Sequence, residues 1–88
     1  MTYRIFLHPE AQRSLDKLQP SIQRRIKDAL RKLETEPEKG EHLKPSRFLR
    51  LRIGDYRAIY EIDGEQNRVI VLYVGHRRNV YDEFSRLV

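Results

Sequence analysis

The run Leu49-Arg50-Leu51-Arg52-Ile53-Gly54-Asp55-Tyr56-Arg57-Ala58-Ile59-Tyr60-Glu61-Ile62 decides the fold. Leu49, Leu51 and Ile53 alternate with Phe48, Arg50 and Arg52, which is the period of a half-buried strand. After Gly54-Asp55 the alternation resumes, with Tyr56, Ala58, Tyr60 and Ile62 on one face and Arg57, Ile59 and Glu61 on the other. Gly-Asp between two such runs reads as a two-residue hairpin turn with glycine in the first central place. That turn pairs Ile53 with Tyr56, Arg52 with Arg57 and Leu51 with Ala58. Arg52 and Arg57 then sit directly opposite each other, with Arg50 in diagonal reach. Like charges so placed destabilise a sheet, and a bound polyanion would offset the cost. The competing reading is a wet face on which arginine stems cover Ile59 and Phe48.

Outward from the hairpin, Tyr3–Leu7 alternates and reads as a short strand. His8-Pro9-Glu10 starts a helix, with Pro9 near the first helical position and Ala11, Leu15 and Leu18 on one apolar face. Gln19-Pro20-Ser21 breaks it. Ile22, Ile26, Ala29, Leu30 and Leu33 then mark a second helix. Its other face carries Arg24, Arg25, Lys27, Arg31 and Lys32, a solvated basic side. Residues 37–45 read as loop. Val69–Val74 is apolar on both faces, as in a doubly covered strand. Asn79 can cap a short last helix carrying Val80, Phe84 and Leu87. The result is one α+β domain over residues 1–88, in the order β-α-α-β-β-β-α. The Asp63–Gln66 turn leaves the last register open. A four-residue loop places Leu72 opposite Arg57 and His76 on the arginine face. A five-residue loop places Tyr73 there and brings Arg77 onto that face.

The 88 residues carry 18 Lys+Arg against 13 Asp+Glu, a formal net charge of +5, and no cysteine. Disulfides, thiolate nucleophiles and cysteine metal sites are excluded. No apolar run reaches membrane-span length and no leader is visible, so a cytoplasmic chain is expected, with no membrane partner. All lysines lie at or before Lys44, and from Ser46 onward every basic residue is arginine. The planar guanidinium fork suits phosphate. His8 reads as structural. His42, with Glu41 but no third ligand nearby, makes no metal site, and no cofactor is expected. Tyr60 and Tyr73 read as packing residues.

The hairpin run together with Val71-Leu72-Tyr73-Val74-Gly75-His76-Arg77-Arg78-Asn79-Val80-Tyr81 resembles the RelE/ParE toxin superfamily, and more its RelE branch. The resemblance extends over the whole chain. It implies a mainly antiparallel, twisted sheet with the helical hairpin packed on one face. It further implies a ribosome-dependent, metal-independent endoribonuclease that cuts mRNA in the A site by 2′-hydroxyl attack on the adjacent phosphate. The partner implied is a small, partly disordered RelB-like antitoxin, held in a hetero-oligomer. By the same resemblance Arg50 and Arg52 occupy basic positions of the family, and Arg57 stabilises phosphate. Arg77 acts at the leaving oxygen or the phosphorane, Arg78 contributes to RNA binding, and Tyr81 stacks on a base.

One departure changes the chemistry. The best-known RelE toxin has lysines where Arg50 and Arg52 stand, and an arginine does not usefully give up its proton. His76 is one candidate acid or base, since imidazole titrates near ~6.5. Glu61 is an alternative base. A third option is charge neutralisation with no strong base. Two other functions compete: a ParE-like gyrase poison without RNase activity, and a non-catalytic RNA-binding module.

Overall fold

The computed structural model describes residues 2–79. Its elements are β1 (Arg4–Leu7), α1 (Pro9–Asp16), α2 (Pro20–Arg31), β2 (Glu41–His42), β3 (Leu49–Ile53), β4 (Tyr56–Asp63) and β5 (Arg68–His76). The expected last helix, with Tyr81, lies outside the described residues. One five-stranded sheet has the order β1-β5-β4-β3-β2. Three of its pairings are antiparallel, and β1 joins β5 in parallel. Between β1 and its parallel neighbour β5 the chain makes a long crossover, through both helices and then β2, β3 and β4.

The helices start where the sequence places them. His8 caps α1 by accepting the Glu10 N–H on Nδ1 at 3.1 Å, and Pro9 follows it. Pro20 likewise stands in the first turn of α2, whose N-cap Gln19 makes no side-chain hydrogen bond. Both pack on one sheet face. Ala11, Leu15, Ile26, Leu30 and Leu33 meet Leu49, Leu51, Ile53, Ala58, Tyr60, Val69, Val71 and Val74 in one core. The other face carries a smaller cluster of Ile59 and Tyr73, with Leu43 and Phe48 against it. Tyr60 and Tyr73 are thus packing residues, as expected. The buried Tyr60 hydroxyl donates to the Pro37 carbonyl at 2.7 Å and accepts the Gly40 N–H at 2.9 Å. It ties the segment after α2 to the sheet, and burial raises its pKa.

Two expectations need correction. Residues 37–45 contain β2, whose Glu41 pairs with Arg50 in register. A two-residue edge strand has no periodicity to read. The β4–β5 register follows neither loop alternative. Both strands run further than their apolar cores, so Asp63 pairs with Arg68 across a Gly64–Asn67 turn. The Asp63 carboxylate accepts from Arg68 Nη2 at 2.8 Å and from the Gln66 N–H at 3.2 Å, which closes the turn. A register shift between Ile59 and Tyr60 then leaves Leu72 unpaired, so Ile59 faces Tyr73 and Arg57 faces Gly75. The odd-numbered residues at the end of β5 join the arginine face, and His76 does not.

The hairpin turn is as read from the sequence: Ile53 pairs with Tyr56 and Arg52 with Arg57. Gly54 has φ +60° and Asp55 does not share that sign, which is the pattern of a type II′ turn. Gly54→Ala is expected to lose about 1–2 kcal/mol in denaturant unfolding, whereas Gly64→Ala, with open space around it, should lose much less. A second test concerns Asp63, whose pKa lies below its ordinary 3.8, chiefly through the Arg68 hydrogen bond. A depressed folded pKa adds stability that is complete above the ordinary value and disappears as pH falls through the folded value. Asp63→Asn should therefore unfold more easily than wild type at neutral pH and match it in strong acid.

Candidate functional site: an arginine cluster at the hairpin tip

The β3–β4 turn gathers the cations. Arg57 is only 9% exposed. Its Nη1 donates to the Gly54 carbonyl at 2.7 Å and the Tyr56 carbonyl at 2.8 Å. The guanidinium is folded back on the turn that positions it. Gly75 lies opposite, and a Cβ there would meet the Tyr73 ring at 2.9 Å. The missing side chain makes room for the Tyr73 ring. Arg52, paired with Arg57 in register, is exposed and makes no hydrogen bond or ion pair among the described residues.

Arg77 reaches the same tip from beyond β5. Its backbone N–H donates to the Asp55 carbonyl at 2.8 Å, and its Nε stands 4.0 Å from Asp55 Oδ1. Arg25 comes from α2. Its Nη2 lies 2.7 Å from where a Cβ on Gly54 would sit, so the guanidinium covers the turn glycine. Four guanidiniums thus meet around one turn whose own carboxylate is Asp55. Such a concentration of fixed positive charge is a site for a polyanion.

The remaining sequence candidates are distributed differently. Arg50 is not an uncompensated charge, because it forms an ion pair with Glu41 of β2. Glu61 shares the Arg57 face but stands four residues along β4, roughly 13 Å away at strand rise. It is bound to Arg47 at 2.5 Å. His76 pairs with Tyr56 in register and so projects from the helix side of the sheet. Its ring meets Tyr56 edge-on, with centroids 5.5 Å apart and planes at 79°. With Lys17, Leu18 and Asn79 it lines a groove of about 320 Å³ between α1 and the end of β5. Its Nδ1 accepts the Arg78 N–H at 3.2 Å. The Arg78 side chain is exposed. His42 bonds Glu38 at 2.9 Å, and no group of three or more His, Asp or Glu among the described residues could hold a metal.

Arg25 and Gly75 were not singled out from the sequence. Arg25 is one of several basic residues on a helix flank, and only the packing of α2 beside β3 shows which one reaches the turn. The glycine signal was present in Val74-Gly75-His76 but has meaning only once the register is known.

A family model described as the ParE toxin of the type II toxin–antitoxin system parDE matches residues 5–81. No curated protein sequence matches the chain. Among solved structures, the toxin–antitoxin complex RelBE2 of Mycobacterium tuberculosis is similar at TM-score 0.80 and 33% identity, over 88% of this chain and 100% of that one. The archaeal RelE–RelB complex of Pyrococcus horikoshii OT3 is similar at TM-score 0.75 and 30% identity, over 88% and 97%. A mutant of the E. coli toxin RelE in the free state shares the fold at TM-score 0.80 and 23% identity, over 100% and 99%.

The geometry separates the two paired arginines. Arg57→Ala removes two charge-assisted hydrogen bonds from the turn and should lower stability by about 1.5–3 kcal/mol. Arg52→Ala removes an unpartnered exposed charge and should stay within about 0.5 kcal/mol of wild type in the same unfolding measurement.

Proposed function

The chain belongs to the RelE/ParE superfamily of type II toxin–antitoxin toxins, and we propose that it is a ribosome-dependent endoribonuclease that cuts mRNA. The observation that carries this reading is the meeting of Arg52, Arg57 and Arg77 at one turn. A phosphodiester under attack gathers negative charge on its non-bridging oxygens. Fixed donors aimed at such charge supply the largest single part of many rate enhancements.

In the proposed reaction the 2′-oxygen attacks the neighbouring phosphorus. The 2′-O–P bond forms as the P–O5′ bond breaks. The products are a 2′,3′-cyclic phosphate and a 5′-hydroxyl, and the proton lost at the 2′-oxygen is balanced by one gained at O5′. Arg57, held by two turn carbonyls, and Arg52 opposite it face the non-bridging oxygens. Arg77 faces the leaving oxygen. Tyr81 stacks on a base, a contact worth roughly 1–3 kcal/mol, and Arg78 binds the RNA backbone. His76 stands on the helix side of the sheet, away from the arginine face. Because Nδ1 accepts a backbone N–H, the neutral ring carries its proton on Nε2.

The partner is a cognate antitoxin. The RelBE2 and archaeal RelE–RelB relatives are toxin–antitoxin complexes, and an acidic segment would neutralise the tip. A second reading, a gyrase poison, is favoured by the ParE description of the matching family. A gyrase binder does not need a cluster of arginines at one turn.

Primer extension on translated mRNA, run beside a gyrase cleavage assay, separates the two. Wild type should cut within codons and leave gyrase unaffected. Arg77→Ala, whose side chain makes only the long Asp55 contact among the described residues, should lower cleavage by about 10²–10³-fold and relieve growth arrest. Wild-type arrest by Arg77→Ala, or gyrase-dependent DNA breaks without mRNA cuts, overturns the endoribonuclease reading.

A further inference from the structure

We infer that Arg25 of α2 is a substrate-binding residue that holds an mRNA phosphate next to the scissile one; this rests on the endoribonuclease reading. The basic face of α2 is not uniform once the helix is packed. Ile22, Ile26 and Leu30 face the sheet. At about 100° per residue, Arg25 and Lys27 leave the helix on opposite flanks of Ile26. Lys27 and Arg31 line a groove with Ile5, Leu7 and Leu30 on the β1 side. Arg25 alone of these three goes to the β3–β4 tip, where its Nη2 lies over Gly54.

Two guanidiniums therefore converge on one residue. Arg57 takes the Gly54 carbonyl and Arg25 covers its α-carbon. Among the described residues Arg25 has no hydrogen bond or ion pair, and the one carboxylate of the turn, Asp55, is nearest to Arg77. A residue serving only to join α2 to the turn would need the flat stack on glycine and no charge. Arg25 instead brings a further fork to the tip on its helix side, while Arg52 and Arg57 stand on the other face. A single phosphate cannot face all of these guanidiniums at once, whereas a phosphodiester chain offers another anion one nucleotide along. Arg25 takes that anion and sets the path of the strand across the turn.

The test uses programmed ribosomes carrying mRNA whose scissile 2′-hydroxyl is replaced by hydrogen, so that the full-length toxin binds without cutting. Arg25→Gln keeps a flat stacking group without charge, and Arg25→Lys keeps the charge. Arg25→Gln is expected to bind about tenfold more weakly than wild type with an unchanged thermal midpoint, and Arg25→Lys to recover most of the loss. On a series of mRNAs with one neutral methylphosphonate at each neighbouring linkage, the Arg25→Gln defect should vanish at one position. Undiminished binding by Arg25→Gln overturns the inference. So does a defect that stays at full size on every methylphosphonate mRNA, which places the contact on ribosomal RNA, or one that Arg25→Lys fails to rescue. A wild-type toxin that cuts no mRNA on the ribosome fails the reading beneath it, while a cutting wild type with an indifferent Arg25→Gln fails this inference alone.

Discussion

A two-residue turn cannot choose its neighbours. With Gly54 and Asp55 as the whole connection, Ile53 must pair with Tyr56 and Arg52 with Arg57. The cost is a pair of like charges on adjacent strands, a destabilising arrangement when they stand directly opposite. The chain offsets it locally. Arg57 turns back onto the Gly54 and Tyr56 carbonyls, where the lone pairs meet its charge. Arg52 is left in solvent. One guanidinium becomes part of the turn and the other remains available, so the hairpin is both scaffold and site.

The rest of the sheet is arranged to tolerate that tip. On the face away from the arginines, Leu51, Ile53 and Ala58 are buried against the helices, and burying side chains of this kind contributes roughly 1.5–3 kcal/mol each for the larger ones. Beyond the tip, the register shift at Ile59/Tyr60 decides which side of the sheet each strand-end residue faces. Without it, Arg57 would lie opposite Val74, and the side chains after it would exchange faces. With it, glycine stands opposite Arg57 and Arg77 follows on the same side, tied to Asp55 by its backbone. One unpaired residue at Leu72 thus separates an arginine site from a histidine groove.

Most of the fold could be read along the chain because its elements carry strong local signals. Pro9 and Pro20 begin helices, the 3.6 spacing of α2 is clear, and Gly54-Asp55 sets a register. The parts that could not be read depend on contacts between elements. Glu41 and His42 form a strand only because β3 offers an edge, and the resulting Glu41–Arg50 pair removes one of the three arginines expected to stand uncompensated. The β4–β5 bulge has no marker in Val71-Leu72-Tyr73. At the site, Arg52 opposite Arg57 followed from the turn, whereas Arg25 over Gly54 followed from nothing in the sequence of α2 itself.

Arginine at the position of a possible lysine base shifts the chemistry from proton transfer to charge. The two candidate proton acceptors read from the sequence are both committed elsewhere. Glu61 is held by Arg47 and lies along the strand from the tip. His76 stands on the other side of the sheet with its Nδ1 lone pair used by Arg78. A base contributes typically 10²–10⁴-fold. Correct alignment of attacking and leaving groups contributes far more, with effective molarities of about 10⁵–10⁸ M, and fixed cations stabilise the phosphorane without exchanging a proton. A tip of guanidiniums supplies the last of these contributions but does little to bend an RNA strand into line. Such a site works best where the strand is already held in place, a condition that the proposed cleavage on the ribosome would meet.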